Sequence, residues 1–425
     1  MSKMRILWLS MNPGLYGLTE GIAKHYNGGG WIASLQRLFI SDNNIELALA
    51  FVTETQLEKK QDENFTYYPI ISQRRTRWQK IKEYYGGYKN PNKVSYLNEV
   101  QNIIGDFRPN IIHVFGMENP MVNVLGELKI PQIVHLQGLL IPCQNAYWPA
   151  GINEKNFVRV TNKREWLLRN GFIYSFNSMK VRSVREKELF TKVKYVMGRT
   201  QWDRNITELF APHAKYYHVN EVLRPIFYEN KGKWKLQDDG KFIILSVISE
   251  NMYKGLDLIM KTAQMLMSLD IQFEWHVVGI RSSDRIVSSF ESVLGINSAK
   301  VNIYYCGIMS SEDICKKALL SSLYVHPSYI DNSPNSLCEA QLLGMPVVAT
   351  NVGGIPSLVE GCEPLQLVPA NGVCELSHSI ILLQKNPDLA VAIGRKGYKL
   401  ADKRHNRIEI KKTLMETYQR VIYDY

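Results

Sequence analysis

The chain has 425 residues, 45% hydrophobic and 21% charged, with a formal net charge of +11. That length accommodates two α/β domains with separate cores, and no run approaches the roughly 18 apolar residues of a membrane helix. Six cysteines (143, 306, 315, 338, 362 and 374) show no CxxC or His pairing at zinc spacing, so neither disulfides nor a structural metal is expected.

In chain order, Met4-Arg-Ile-Leu-Trp-Leu-Ser10 is too short for a signal peptide's apolar region and meets Asn12-Pro13-Gly14 directly. It reads as a first strand over 5–9 and its turn, in a cytoplasmic protein. A glycine loop, Gly28-Gly29-Gly30, then leads into a helix over 32–39. Further strands are predicted over 45–51, 111–115 and 130–135, with amphipathic segments between them. Such alternation implies a parallel, Rossmann-like sheet. The polar stretch 231–240 is the linker candidate. After it the alternation is cleaner. Strands are predicted over 241–248, 273–278, 301–305 and 323–326, and helices over 255–269, 285–294 and 312–321.

The net charge is uneven, since the whole +11 excess falls within residues 1–224. Residues 74–93 hold seven cations and one acid, interleaved with Trp78, Tyr84, Tyr85 and Tyr88. This mixture suits an anionic membrane surface. A solubilising face is an equal reading, and no recognition motif points to nucleic acid.

The most informative segment runs from His326 to Pro356. Asp331 and Glu339 lie eight positions apart around a predicted helix start at Ser333-Pro334, and the helix should stop at Gly344. Its first amides, near Asn335, Ser336 and Leu337, form an anion site suited to a diphosphate. Met345-Pro-Val-Val-Ala-Thr350 reads as a strand, followed by Gly353-Gly354-Ile-Pro356. An isolated pair of acids at this spacing would more often merely decorate a helix start.

Taken whole, this segment resembles the donor-binding core of family-4 retaining glycosyltransferases (glycosyl transferases group 1), of the bacterial surface-polysaccharide type. That pattern is an acid, seven residues and Glu, then Gly-x-Pro-Val-Val and Gly-Gly-x-Pro. The resemblance implies a GT-B fold, with two Rossmann-like, doubly wound domains facing across a cleft. Residues 1–225 would form the acceptor side, with a final helix over 406–425 packing back on it, and 241–405 the donor side. It also implies roles. Asp331 would face the donor sugar, and Glu339 the ribose hydroxyls. Lys254, in Tyr253-Lys254-Gly255, would meet the diphosphate, and Gly29 and Gly30 would approach it through their backbone.

Two departures stand out. The arginine that many members carry about five residues before the lysine is replaced by Ile248, Ser249 and Glu250. Gln137 occupies the position of an active-site histidine, with His135 two residues earlier. Gln137 can hydrogen-bond a sugar hydroxyl but cannot exchange protons near neutral pH. His113, His135 and His326 read individually as core residues. Gly198-Arg199-Thr200-Gln-Trp202-Asp203 and Asn220-Glu221-Val-Leu-Arg224 resemble stretches of polysaccharide-assembling members and carry no assignable chemistry.

No Asp-x-Asp occurs, so no metal cofactor is expected, and the nucleoside-diphosphate-sugar is a substrate. The function expected is transfer of a sugar from that donor to a saccharide or lipid-linked acceptor in capsule, O-antigen or exopolysaccharide assembly. The alternatives are a sugar-nucleotide epimerase of similar architecture and a non-catalytic nucleotide-sugar-binding protein.

Overall fold

The computed structural model of the protein describes residues 3–16, 30–72, 96–160, 171–236, 240–360 and 366–425. Gly28, Gly29, Cys362, the basic segment 74–93 and part of the linker candidate (237–239) lie outside the described residues. The chain divides into two compact units. The first comprises Met1–Ile141, Met179–Val222 and Asn406–Tyr425, and the second Pro142–Ser178 and Leu223–His405.

The first unit is built on β1 (Met4–Ser10), β2 (Ile45–Thr53), β3 (Lys60–Asp62), β4 (Phe65–Ile71), β5 (Ile111–Phe115), β6 (Gln132–His135), β7 (Tyr195–Gly198) and β8 (Lys215–His218). They pair in the order β3-β4-β2-β1-β5-β6-β7-β8, with β3 antiparallel to β4 and every other pair parallel. Ile6, Leu7, Trp8 and Leu9 are all fully buried, as expected of a central parallel strand covered on both faces. The helix Leu97–Phe107 buries Val100, Ile103 and Phe107 along one stripe and ends at Arg108, which adopts a left-handed conformation. The C-terminal helix Arg407–Asp424 buries Tyr418, whose hydroxyl accepts from Trp8 Nε1 at 3.1 Å and meets His113 Nδ1 at 2.5 Å.

The second unit contains β9 (Ile243–Val247), β10 (Glu274–Val278), β11 (Ile303–Gly307), β12 (Leu323–His326), β13 (Val347–Thr350) and β14 (Leu367–Val368). All pair in parallel, in the order β11-β10-β9-β12-β13-β14. The chain steps outward from β9 to β11, then crosses to β12 on the other side of β9. The strand order therefore reverses between β9 and β12, and ligands in such sheets bind beyond the carboxyl ends of the strands at that point.

Two expectations need correction. Residues 142–178 group with the second unit rather than the first. Phe157 of the helix Glu154–Val160 packs edge-on against Phe290 at 5.5 Å, and Arg285 donates to the Val160 carbonyl. The helix after β12 is also entered differently. Pro334 is its N-cap, and Asn335–Leu343 forms the helix with no side-chain cap, so Ser333 does not serve as one.

Candidate functional site

Lys254 and Asp331 lie on the two loops that flank the switch point of the second unit. After β9 the chain makes a short 3-10 turn, Met252–Lys254, and enters the helix Leu256–Ser268 through Gly255 at φ 80°. Any Cβ on Gly255 would stand 2.1 Å from the Pro327 carbonyl oxygen, so the loops after β9 and β12 meet there backbone to backbone. The Tyr329 amide donates to the Tyr253 carbonyl at 2.8 Å, and the Tyr329 hydroxyl donates to Asp257 at 2.8 Å. Buried Asp257 also accepts from Lys261 at 2.9 Å.

These contacts bring Lys254 Nζ to 2.6 Å from Asp331 Oδ2, with the two side chains 20% and 15% exposed. His326 Nε2 lies 3.0 Å from the same oxygen, and the Asn332 amide donates to Oδ1 at 3.1 Å. A carboxylate only accepts, so His326 carries its proton on Nε2. Burial works to raise the Asp331 pKa, but Lys254 and His326 outweigh it and hold the carboxyl well below its usual range. From the other side, the Gly354 amide donates to the Asp331 carbonyl at 3.0 Å. His326, which the sequence presents as a core residue, is thus a direct partner of Asp331. Nothing in its spacing marks that role.

The helix that follows supplies the second carboxylate. The amides of Leu337 and Cys338 both donate to the Pro334 carbonyl, leaving those of Asn335 and Ser336 without an intrahelical acceptor. The Leu337 amide is thus engaged within the helix, and its side chain is fully buried. Ser336 Oγ accepts from Tyr324 at 2.7 Å. Asn335 Oδ1 is buried with no partner among the described residues. Glu339, 2% exposed, receives a two-pronged contact from Arg224, with Nε donating to Oε1 at 2.7 Å and Nη2 to Oε2 at 2.6 Å. Such a fork fixes the plane of the carboxylate and leaves one lone pair on each oxygen for a further donor. The sequence gives no chemistry to Arg224, because its partner lies 115 residues away.

The remaining expected residues belong to the first unit. Gln137 is half-buried on the loop after β6, where its carbonyl accepts from Arg199 at 3.3 Å. Gly30 is described and opens the helix Gly30–Gln36, its carbonyl accepting from Ser34 Oγ at 2.9 Å. His135 sits within the strand, packed among Phe115, His113 and Trp31. Neither of its ring nitrogens has a hydrogen-bond partner among the described residues. Burial drives its pKa well below the usual value and that of His113 down to about 3. Burial thus favours the neutral form of both imidazoles. On the loop after β9, Ile248 is buried and Ser249 and Glu250 are exposed. Among the described residues no cluster of three His, Cys, Asp or Glu could hold a metal.

Residues 229–400 match the family model described as Glycosyl transferases group 1. An uncharacterized glycosyltransferase of Haemophilus influenzae is 29% identical over 231 residues, covering 52% of this chain and 62% of that protein. The putative colanic acid biosynthesis glycosyltransferase WcaL of Escherichia coli is 27% identical over 143 residues, covering 32% of this chain and 34% of WcaL. The matched parts thus span less than two thirds of either relative. Among solved structures, sucrose-phosphate synthase from Thermosynechococcus elongatus matches with a TM-score of 0.70 at 12% identity, over 100% of both chains. Anabaena HepE in complex with UDP-glucose matches with a TM-score of 0.63 at 14% identity, over 98% of this chain and 100% of that one. At such identities the likeness defines the fold. The chain has the GT-B architecture, two Rossmann-like α/β units each built on a parallel sheet.

Proposed function

We propose that the protein is a retaining glycosyltransferase of family 4, moving a sugar from a nucleoside-diphosphate donor to a saccharide or lipid-linked acceptor in surface-polysaccharide assembly. The observation that carries this reading is the pairing of Lys254 with Asp331 across the switch point, beside a helix whose first amides have no intrahelical acceptor. The match of residues 229–400 to the group 1 model supports it, as does the naming of both curated relatives as glycosyltransferases.

In this reading the donor diphosphate meets Lys254 and the amides of Asn335 and Ser336. As the anomeric carbon–oxygen bond breaks, negative charge moves onto the diphosphate, where a cation and helix amides stabilise the transition state more than the ground state. Asp331 stabilises positive charge developing at the anomeric carbon, and the acceptor hydroxyl oxygen forms the new bond as its proton passes to the departing diphosphate oxygen. Lys254 is shared between Asp331 and the leaving group, so no metal is required. Glu339, oriented by Arg224, receives the ribose hydroxyls. The basic segment 74–93 docks the protein on an anionic cytoplasmic membrane face that presents the acceptor.

The test is a panel of nucleoside-diphosphate sugars, starting with UDP-glucose, read by nucleoside-diphosphate release with and without chelator. Release that depends on acceptor and survives chelator is expected. An isomerised sugar formed from donor alone would instead make the protein an epimerase. Binding without any release would leave a nucleotide-sugar-binding protein.

A further inference from the structure

Residues 142–178 lie between β6 and β7 in the chain, yet they group with the second unit. Their seat is aromatic. Tyr147 is buried, packs against Phe176 at 5.2 Å and donates its hydroxyl proton to the Phe172 carbonyl at 2.8 Å. Trp148 packs against Phe157 at 5.3 Å and Phe176 at 5.6 Å, and Phe157 reaches Phe290 on the helix Arg285–Leu294. The stretch 142–150 is thereby carried to the loops that hold Lys254 and Asp331. Cys143 is hydrogen-bonded to the Tyr253 hydroxyl, and the Ala150 amide donates to the Tyr329 hydroxyl.

These two tyrosines adjoin the paired groups, Tyr253 directly before Lys254 and Tyr329 two residues before Asp331. Lys254 Nζ lies over the Tyr253 ring, 5.6 Å from its centroid. The Tyr329 amide donates to the Tyr253 carbonyl at 2.8 Å, so the tyrosines also brace each other. The single proton of the Tyr329 hydroxyl goes to buried Asp257 at 2.8 Å, while its oxygen accepts from Ala150. A hydroxyl engaged as both donor and acceptor holds its ring in one position.

We propose that residues 142–150 form a strap on the donor site, and that Tyr329 is the positioning residue through which it holds Lys254 beside Asp331. The proposal rests on the glycosyl-transfer reading above and deepens it, because a segment from the first half of the chain then helps set diphosphate affinity. Lys254 has a long side chain with much rotamer freedom, so its ammonium stays in place only while its surroundings are fixed.

Ala150 gives access to this contact without touching the donor loops. Pro149-Ala150-Gly151-Ile152 is a β-turn, closed by the Ile152 amide on the Pro149 carbonyl at 3.0 Å, with Gly151 at φ 80°. This is a type II turn, which favours proline in second place. Ala150→Pro therefore suits the turn and puts a ring carbon where the amide hydrogen met Tyr329. Tyr329→Phe removes the other half of the same bond.

The experiment uses the full chain with each substitution and with both together. Affinities for UDP-glucose, UDP and uridine are measured by calorimetry, and kcat by UDP release. Hydrogen exchange is followed over 253–259 and 329–335 without ligand. Where the donor panel selects another base, its nucleoside and diphosphate replace uridine and UDP. Each single variant should bind UDP-glucose and UDP at least fivefold more weakly and lose at least fivefold in kcat. Uridine affinity should stay within twofold, because uridine lacks the diphosphate that meets Lys254. The double variant should be no worse than the poorer single one, since both changes break one bond. Both loops should exchange faster in every variant. Equal weakening of uridine and UDP would show general loosening and overturn the proposal, as would unchanged UDP affinity or losses that multiply in the double variant. Should Tyr329→Phe fail to fold, Ala150→Pro carries the test through the contrast between UDP and uridine. Should the wild type bind no donor, the glycosyl-transfer reading fails, while unchanged exchange in both loops would still overturn the strap.

Discussion

Asp331 is held by two basic side chains whose demands differ. Lys254 neutralises its charge, and His326 orients the oxygen that Lys254 also contacts. The folded-state pKa of Asp331 lies below its unfolded value of 3.8, so the stability it contributes is full above that value and is lost as the pH falls below it. Asp331→Asn removes the anion and leaves a largely buried lysine without its counter-charge. The variant should be about 1–3 kcal/mol less stable than wild type at pH 6, and the gap should narrow below pH 4. Denaturant midpoints at pH 6 and pH 3 check this, and an equal gap at both would contradict it. Arg224 and Glu339 are a second such pair, but with a two-pronged geometry that fixes the plane of the carboxylate.

The elements that carry these residues are joined through backbone more than through side chains. Gly255 is the point of closest approach, with a left-handed φ and the Pro327 carbonyl where a Cβ would go. Gly255→Ala should therefore destabilise by roughly 2–4 kcal/mol and weaken donor binding as well, because the loops bearing Lys254 and Asp331 must part. Gly295→Ala is the control. Its φ is 68° with nothing near the added Cβ, so only backbone strain, about 1 kcal/mol, is expected and donor affinity should be unchanged. Thermal melts with donor calorimetry on both variants separate strain from contact.

At this scale the sequence was legible where the hydrophobic period was clean. β5, β12 and the helix Arg285–Leu294 fall on the predicted residues, and most other predicted elements within two or three. β4 was missed because Pro69 argues against a strand. It is tolerated because β3 pairs only with Phe65, Thr66 and Tyr67, so no neighbour on that side needs a donor from residue 69. β14, with two residues, is too short for its period to show. The contacts of His326 and Arg224 were illegible for another reason, since they arise from tertiary proximity and leave no trace in local spacing.

Across the molecule, the most informative sequence motifs fall in the second unit, where Lys254 and Asp331 pair on loops flanking its switch point. It did not foresee that residues 142–178 leave the first unit, because their anchors, Phe290 and Arg285, are more than a hundred residues away. The net positive charge lies in residues 1–224, yet the 74–93 segment that holds much of it falls outside the described residues.

The central claim is that the helix after β12 is the donor site and that its two acids have different tasks. Glu339→Ala should weaken UDP-glucose binding by about 1.5–3 kcal/mol, the worth of a charge-assisted hydrogen bond. Asp331→Asn should depress kcat more than donor affinity, because its charge matters most as the anomeric carbon becomes positive. Donor affinity by calorimetry and turnover by nucleoside-diphosphate release, measured on both variants after confirming that each folds, give the decisive comparison. The account predicts an affinity loss for Glu339→Ala and a turnover loss for Asp331→Asn. Wild-type affinity in the first together with wild-type turnover in the second would contradict it.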